Sequence, residues 1–419
     1  MPYRKSVLPN GIRVVTETMP QVRSVAVGVW VETGSRMEPE ARGGISHLIE
    51  HLVFKGTHSR SAEDIARAID SVGGQMDAFT AKEYTCFYVS VLDEHLPLAV
   101  DVLTDILMHP LCAPEDLEKE KAVVFQEIKM VEDTPDDLIH DLFAEEVWAG
   151  HPLGRPILGR WDVVRGLDRE TVLSHFAEEY APPRIIVAVA GHAAHDRVVD
   201  MFASRFNGFA RPVAPHVLTP PTLHPGVHVV KKPLEQVQVV LGFPGVPDTA
   251  PERYALYLLN DVIGGSMSSR LFQEIRERQA LVYSVHSSNQ GYRDGGLFYV
   301  YAGTDAANLA KVLKALLKEV RALKKDGITA DELRRAKEHL KGSLMLSLES
   351  TSARMNRLGK QEMRFGSFLS MDETLAAIDR VELEELQALI HRVFDESQLA
   401  LMTLGPVDRR KLPRELFQN

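Results

Sequence analysis

The segment His47-Leu48-Ile49-Glu50-His51, within "GGISHLIEHLVFKGT", sets two imidazoles and a carboxylate in five residues. Residues at i, i+3 and i+4 share one face of a helix, so His47 and His51 direct two ring nitrogens to one place with Glu50 beside them. Two histidines four apart are the spacing of HExxH zinc hydrolases; here the glutamate precedes the second histidine, giving the inverted HxxEH order. Zinc held in this way activates a water molecule, and a neighbouring carboxylate can take the proton that the water loses. A lone imidazole on an apolar face is ordinarily a satisfied core histidine. Two imidazoles with a carboxylate form a costly buried cluster unless a metal compensates them. A catalytic zinc also needs a third protein ligand.

The elements around this segment have to position it. Ile45, Leu48, Ile49, Leu52, Val53 and Phe54 make it a largely buried helix, with "GG" at 43–44 as its start and "KGT" at 55–57 as its stop. Further on, "GFARPVAPHVLTPPTLHPG" carries five prolines and supports neither ladder nor helix. It divides the chain into an N-terminal domain (1–207), a proline-rich linker (208–226) and a C-terminal domain (227–419).

The two halves resemble each other. "GIRVVTE…VAVGVWV" is echoed by "GVHVVKK…VQVVLGF", and "CFYVSVLDEHLPLAVDVLTDIL" by "LFYVYAGTDAANLAKVLKALL". "APEDLEKEKAVVFQEI" is matched by "TADELRRAKEHLKGSL", each with a capping-box-like start, and both halves end on an apolar strand running into glycine. The expected fold class is α+β: two homologous α/β sandwich domains, each a mostly antiparallel sheet with helices packed on one side, related by internal duplication. Two unrelated α/β domains in coincidental order are the alternative. Setting "HLIEHLVFKG" against "YLLNDVIGG" puts Tyr257, Asn260 and Asp261 where His47, Glu50 and His51 stand. The second half therefore lacks both histidines and the glutamate of the motif, and one zinc ion per chain is expected.

Composition narrows the function classes. A chain of 419 residues with 45% apolar and 25% charged content is of ordinary globular type, long enough for two or three domains. A formal charge of −10 argues against nucleic acid as a partner. No apolar run approaches the roughly 20 residues needed to cross a bilayer. The opening "MPYRKSVLPNGIRVV" has the character of neither a signal peptide nor a transit peptide. Cys86 and Cys112 are too few for a disulfide framework and lie outside any CxxC spacing, so they read as structural thiols in a reducing compartment. Cytoplasmic localisation is the expectation.

The inverted motif, with "SVLPNGIRVV", "GGQMDAFTAKEYTCFY" and "SSRLFQEIRERQALVYSV" in the same order, resembles the pitrilysin/insulinase-type (inverzincin) zinc metallopeptidases over most of the chain. By length it is similar to two-domain bacterial processing proteases and to the catalytic (beta) subunit of the mitochondrial processing peptidase. The resemblance implies a third zinc ligand about 76 residues beyond the second histidine, which is Glu127, and a supporting glutamate seven residues earlier, Glu120. Positions i and i+7 share a helix face, whereas Glu115, Asp116, Glu118 and Glu132 read as a solvated acidic surface. Arg276 and Tyr283 resemble the family's pair that holds substrate and supports the tetrahedral intermediate, with Arg270 and Arg278 as nearby competitors.

The family's substrate-pairing edge strand corresponds to "MDAFTAKEYTCFYV", so Ala78, Phe79 and Thr80 are expected along a bound peptide. Asp137 and Asp141 resemble acidic positions that read a basic residue near the cut, although a solvated helix face explains them almost as well. The implied activity is a zinc-dependent endopeptidase for short or unfolded peptides, with Glu50 as general base, working as a homodimer with composite active sites. The alternatives are a non-catalytic structural or presenting subunit of the same fold, and a catalytic subunit that requires a different partner chain.

Overall fold

The computed structural model describes residues 3–417. Runs of β-branched and aromatic residues form two sheets. The first contains β1 (Tyr3–Val7), β2 (Arg13–Thr18), β3 (Ser24–Val31), β4 (Gln75–Thr80), β5 (Thr85–Leu92) and β6 (Ile185–Gly191), in the order β1-β2-β6-β3-β5-β4. The second contains β7 (Gly226–Lys231), β8 (Val237–Pro244), β9 (Ser284–Gly291), β10 (Gly296–Thr304) and β11 (Ala400–Gly405), in the order β7-β11-β8-β10-β9. In each sheet one pair is parallel, β2 with β6 and β7 with β11, and the other pairs are antiparallel. The order β2-β6-β3-β5-β4 therefore recurs strand for strand in the second sheet. Sequence likeness and identical topology together favour two copies of one unit over coincidence.

The chain forms two compact units, each assembled from separated stretches. The first takes residues up to Lys129, Arg155–Val217 and Leu346–Phe368; the second takes Met130–Gly154, Leu218–Met345 and Leu369 onward. Residues 209–225 carry no regular structure, as their prolines dictate. The compact units differ from the linear halves at two helices, Pro135–Val147 and Thr351–Phe365, each of which packs on the sheet of the other half of the sequence.

The physical reason lies in the strands. In β3, Val25, Val27, Val29 and Val31 face the core shared with helices Ile45–Leu52 and Leu96–Met108, while Ala26 and Trp30 face the opposite way. Strands apolar on both faces need cover on both. Met355, Leu358 and Met363 of helix Thr351–Phe365 supply it for the first sheet. Ile139, Phe143 and Val147 do the same for the second, against Val240, Tyr299, Tyr301 and Met402. The expectation of helices on one side only is corrected accordingly: several helices cover one face, and a single helix from the other half of the sequence covers the second. The approach is close. A Cβ at Gly28 would lie 2.3 Å from Met355 Sδ, and one at Gly359 would lie 2.4 Å from the Trp30 ring.

Of the two expected capping boxes, the one at Thr329 and Glu332 forms, with Thr329 N donating to Glu332 and Glu332 N to Thr329 Oγ1. Helix Pro114–Asp133 instead begins on a proline after Ala113, which has no side-chain acceptor to offer.

Candidate metal centre

Helix Ile45–Leu52 buries Ile45, Leu48, Ile49 and Leu52 in the core of the first unit, which leaves His47, Glu50 and His51 on its open side. Its start is built tightly. Gly44 has φ +92°, and a Cβ there would meet Leu158 O at 2.6 Å. Gly44 N and Ser46 N both donate to the carboxylate of Glu38, at 2.8 Å each. Glu38 is thus an acidic cap satisfying orphan N–H groups at the helix start. Burial raises its carboxyl to about 7, against the pull of those two hydrogen bonds and of Arg155.

Helix Pro114–Asp133 buries Leu117, Val124 and Ile128 and carries Glu120 and Glu127 to the same place. Glu127 Oε2 lies 3.6 Å from His47 Nε2 and 3.7 Å from His51 Nε2. The three ligand atoms all lie within 4.8 Å of one another, the one such group of three among the described residues. Bonds of about 2.0–2.1 Å in a tetrahedral zinc site separate neighbouring ligand atoms by about 3.4 Å, so these residues fit the ion with little movement. Glu127 Oε2 is buried and has no hydrogen-bond partner, the condition of a carboxylate oxygen that a cation would compensate. Burial, and then the nearby His51, lower the His47 pKa to about 4, so its ring is neutral and able to ligate at physiological pH.

His51 Nδ1 lies 3.1 Å from Glu120 Oε2. With the carboxylate accepting from Nδ1–H, the bare Nε2 is the nitrogen turned toward Glu127. Glu120 is itself only 5% exposed, and Lys55 Nζ holds its other oxygen at 2.8 Å. Lys55 lies past the end of the helix, where helical periodicity does not place its side chain.

Glu50 accepts a hydrogen bond from Thr80 Oγ1 on β4. Burial raises its pKa; Thr80 and His51 oppose the rise, while Asp77 and Glu127 add to it. The Thr80 side chain, on the strand expected to pair with substrate, is thus committed to Glu50. The Phe79 ring packs against Trp30, Tyr84 and Tyr88, and the Ala78 side chain is partly buried against the core. What remains open at these positions is backbone, since β4 is the last strand of its sheet.

Asp137, Asp141, Arg276 and Tyr283 belong to the second unit. Asp137 and Asp141 lie on helix Pro135–Val147, which covers the second sheet. Arg276 sits in the π-helical segment Phe272–Arg278, with its guanidinium 4.6 Å from the Phe272 ring centroid and 5.7 Å from that of Tyr283. Tyr283 is 78% exposed. The competing arginines are engaged elsewhere, Arg270 with Glu332 and Arg278 with Glu274.

Residues 13–160 match the insulinase (peptidase family M16) domain, and residues 166–340 match the peptidase M16 inactive domain. The chain belongs to the insulinase-like M16 peptidase family. Relatives in this family carry the name uncharacterized zinc protease. One from Streptomyces coelicolor is 45% identical, covering 85% of this chain and 79% of its own length. Another from Bacillus subtilis is 44% identical, over 83% and 85%. A third, from Mycobacterium leprae, is 40% identical over 98% and 94%.

The fold is shared with solved structures. A Helicobacter pylori protease superposes with a TM-score of 0.91 at 22% identity, covering 96% of this chain and 99% of that one. A Pseudomonas fluorescens structure described as a peptidase M16 inactive domain superposes with a TM-score of 0.90 at 17% identity, over 97% and 98%. The stretch matched to the insulinase domain, 13–160, contains His47, Glu50, His51, Glu120 and Glu127.

Proposed function

We propose that this chain is a zinc-dependent endopeptidase that cleaves short or unfolded peptides in the cytoplasm, with one zinc ion per chain held by His47, His51 and Glu127. The observation that carries the proposal is the convergence of those three ligand atoms within 4.8 Å, two of them on the helix that also carries the half-buried Glu50, which is not among them. Bound zinc would supply an activated water molecule and polarise the scissile carbonyl. Glu50 takes the proton as water attacks and returns it to the leaving amine; its raised pKa brings it nearer the operating pH of a base that must also act as an acid. Thr80 keeps the Glu50 carboxylate in one orientation. Glu120 holds His51 in the tautomer that presents Nε2, and Lys55 holds Glu120.

Extended peptide adds to the open edge of β4 through its backbone at Ala78, Phe79 and Thr80, a mode that tolerates varied sequence and requires an unfolded segment. Arg276 and Tyr283 hold the substrate backbone and support the tetrahedral intermediate, and Asp137 and Asp141 favour a basic residue near the cut. The second half of the chain, a repeat whose metal positions hold Tyr257, Asn260 and Asp261, contributes these contacts within a homodimer of composite sites. Peptides are the partners of this reading and nucleic acid is not. Among the described residues, no helix is long and apolar enough to cross a membrane.

The test is cleavage of an internally quenched peptide by the purified chain. Activity that a chelator removes and added zinc restores supports the proposal. A metal-free, inactive preparation of the single chain favours the structural-subunit reading. Activity that appears only after mixing with a second gene product favours the reading of a catalytic subunit with a different partner.

A further inference from the structure

Away from the metal centre, the second unit holds a cavity of about 410 Å3. It is walled by helices Arg253–Ile263, Leu309–Asp326 and Ala330–Ser347 and by the π-helical segment. Through the sequence repeat, Asp261 stands in the place of His51 and Ala336 in the place of Glu120, and both line the cavity. The repeat has thus kept an opening at these positions while losing the residues that hold metal.

The charges in the wall are unevenly satisfied. Arg270 donates to both carboxylate oxygens of Glu332, at 2.7 and 2.8 Å, and to Gly327 O. Arg278 pairs with Glu274 at 2.8 Å, and Arg335 with Asp331 at 3.1 Å. Asp261 lies 2.6 Å from His339 Nδ1. Every guanidinium in the wall is therefore already engaged by a carboxylate. Glu319, in contrast, makes no hydrogen bond or ion pair among the described residues, the one carboxylate of the wall in that state. Burial, and then Glu274, raise its pKa, while Arg270, Lys318 and Arg278 oppose the rise.

A second and independent observation is Ser269. It is 2% exposed, lines the cavity, and its Oγ is buried without a partner. Val262 and Ala336 add apolar surface to the same wall.

We propose that this cavity binds a primary ammonium group on an aliphatic stem, the chemistry shared by a lysine side chain in a peptide and by a free diamine. An anion would meet guanidiniums that are already paired and a carboxylate that repels it. A cation gives Glu319 the direct ion pair that no described residue makes with it. An ammonium carries three donors and no acceptor, which suits a carboxylate and serine hydroxyls together, and its methylene stem matches Val262 and Ala336. The volume lies within the range of small-ligand sites, roughly 300–1,000 Å3. The inference does not depend on the peptidase activity.

The test is calorimetric titration of the full-length protein with 1,5-diaminopentane, with Nα-acetyl-lysine N-methylamide, and with the Nε-acetylated form of the latter. At least one of the two ammonium ligands binds, the Nε-acetylated compound does not, and Glu319→Gln weakens binding on the order of tenfold or more, as loss of a charged hydrogen bond should. Binding of the diamine alone identifies a free amine as the ligand; binding of the lysine derivative identifies a peptide side chain. Ser269→Ala gives a second, smaller weakening should Glu319→Gln lower the melting temperature. The proposal is overturned if neither ammonium ligand binds, if the Nε-acetylated compound binds equally well, or if both variants keep wild-type affinity.

Discussion

Glu50 stands one residue before His51 and accepts from Thr80, outside the group of three candidate ligands. Glu50→Gln keeps the shape and loses the base; we expect it to retain zinc while peptide cleavage falls by about 10²–10⁴-fold, measured as kcat with metal content checked on the same sample. Thr80 orients that carboxylate through one hydrogen bond to a charged group, an interaction of roughly 1.5–3 kcal/mol. Thr80→Val should lower kcat by about tenfold or more with little change in KM, and Thr80→Ser should restore most of it. Glu120→Gln should weaken zinc binding about 10–100-fold, read by competition with a chromogenic chelator, because His51 is then no longer held in one tautomer. At this scale the histidine-glutamate-histidine set was legible, since a period of i, i+3 and i+4 is local. Glu127 was reached only through the family resemblance, because its meeting with His51 is a matter of two helices packing. The Thr80 contact was not legible, as nothing local shows which face of an edge strand looks toward Glu50.

The elements hold these residues in place. Glu38 caps the helix that carries both histidines, and its carboxyl is raised from an ordinary 4.5 to about 7. A folded-state value above the unfolded one means that the folded chain keeps the proton longer. The stability tied to Glu38 is therefore full below about pH 4.5 and is lost as the pH rises through about 7. Glu38→Gln removes this ionisation, so its melting temperature relative to wild type should rise between about pH 5 and about pH 8; an unchanged difference would show that the cap does not titrate in this window. Helix Thr351–Phe365 lies against the first sheet at Gly28 and Gly359, where side chains do not fit. Gly359→Leu should cost about 1–3 kcal/mol or more in urea unfolding, as overpacking does. The periodicity of the two exchanged helices shows that each buries one face, but not which sheet receives it. That is why the compact units could not be read as linear halves.

At the scale of the whole molecule, one strand order occurs twice, and among the described residues only the first copy holds a group of three side chains placed as metal ligands would be. The second copy carries Arg276 in a π-helical stretch, followed by Ala280 at φ +49°, a strained backbone of the kind found at functional sites, and then by Tyr283. Tyr283→Phe should lower kcat about 10²–10³-fold if its hydroxyl supports the tetrahedral intermediate. If each site draws on both copies in a homodimer, mixing Glu50→Gln chains with Tyr283→Phe chains should restore about a quarter of wild-type activity, since half of randomly formed dimers are mixed and each holds one intact site. No recovery would show that one chain completes its own site.

The central claim, that His47, His51 and Glu127 hold one catalytic zinc ion, is tested most directly by zinc content per chain after dialysis, measured for wild type, Glu50→Gln and Glu127→Gln. The account predicts about one zinc ion, about one, and close to none, respectively. Wild-type protein without zinc, or Glu127→Gln retaining as much zinc as wild type, would contradict it.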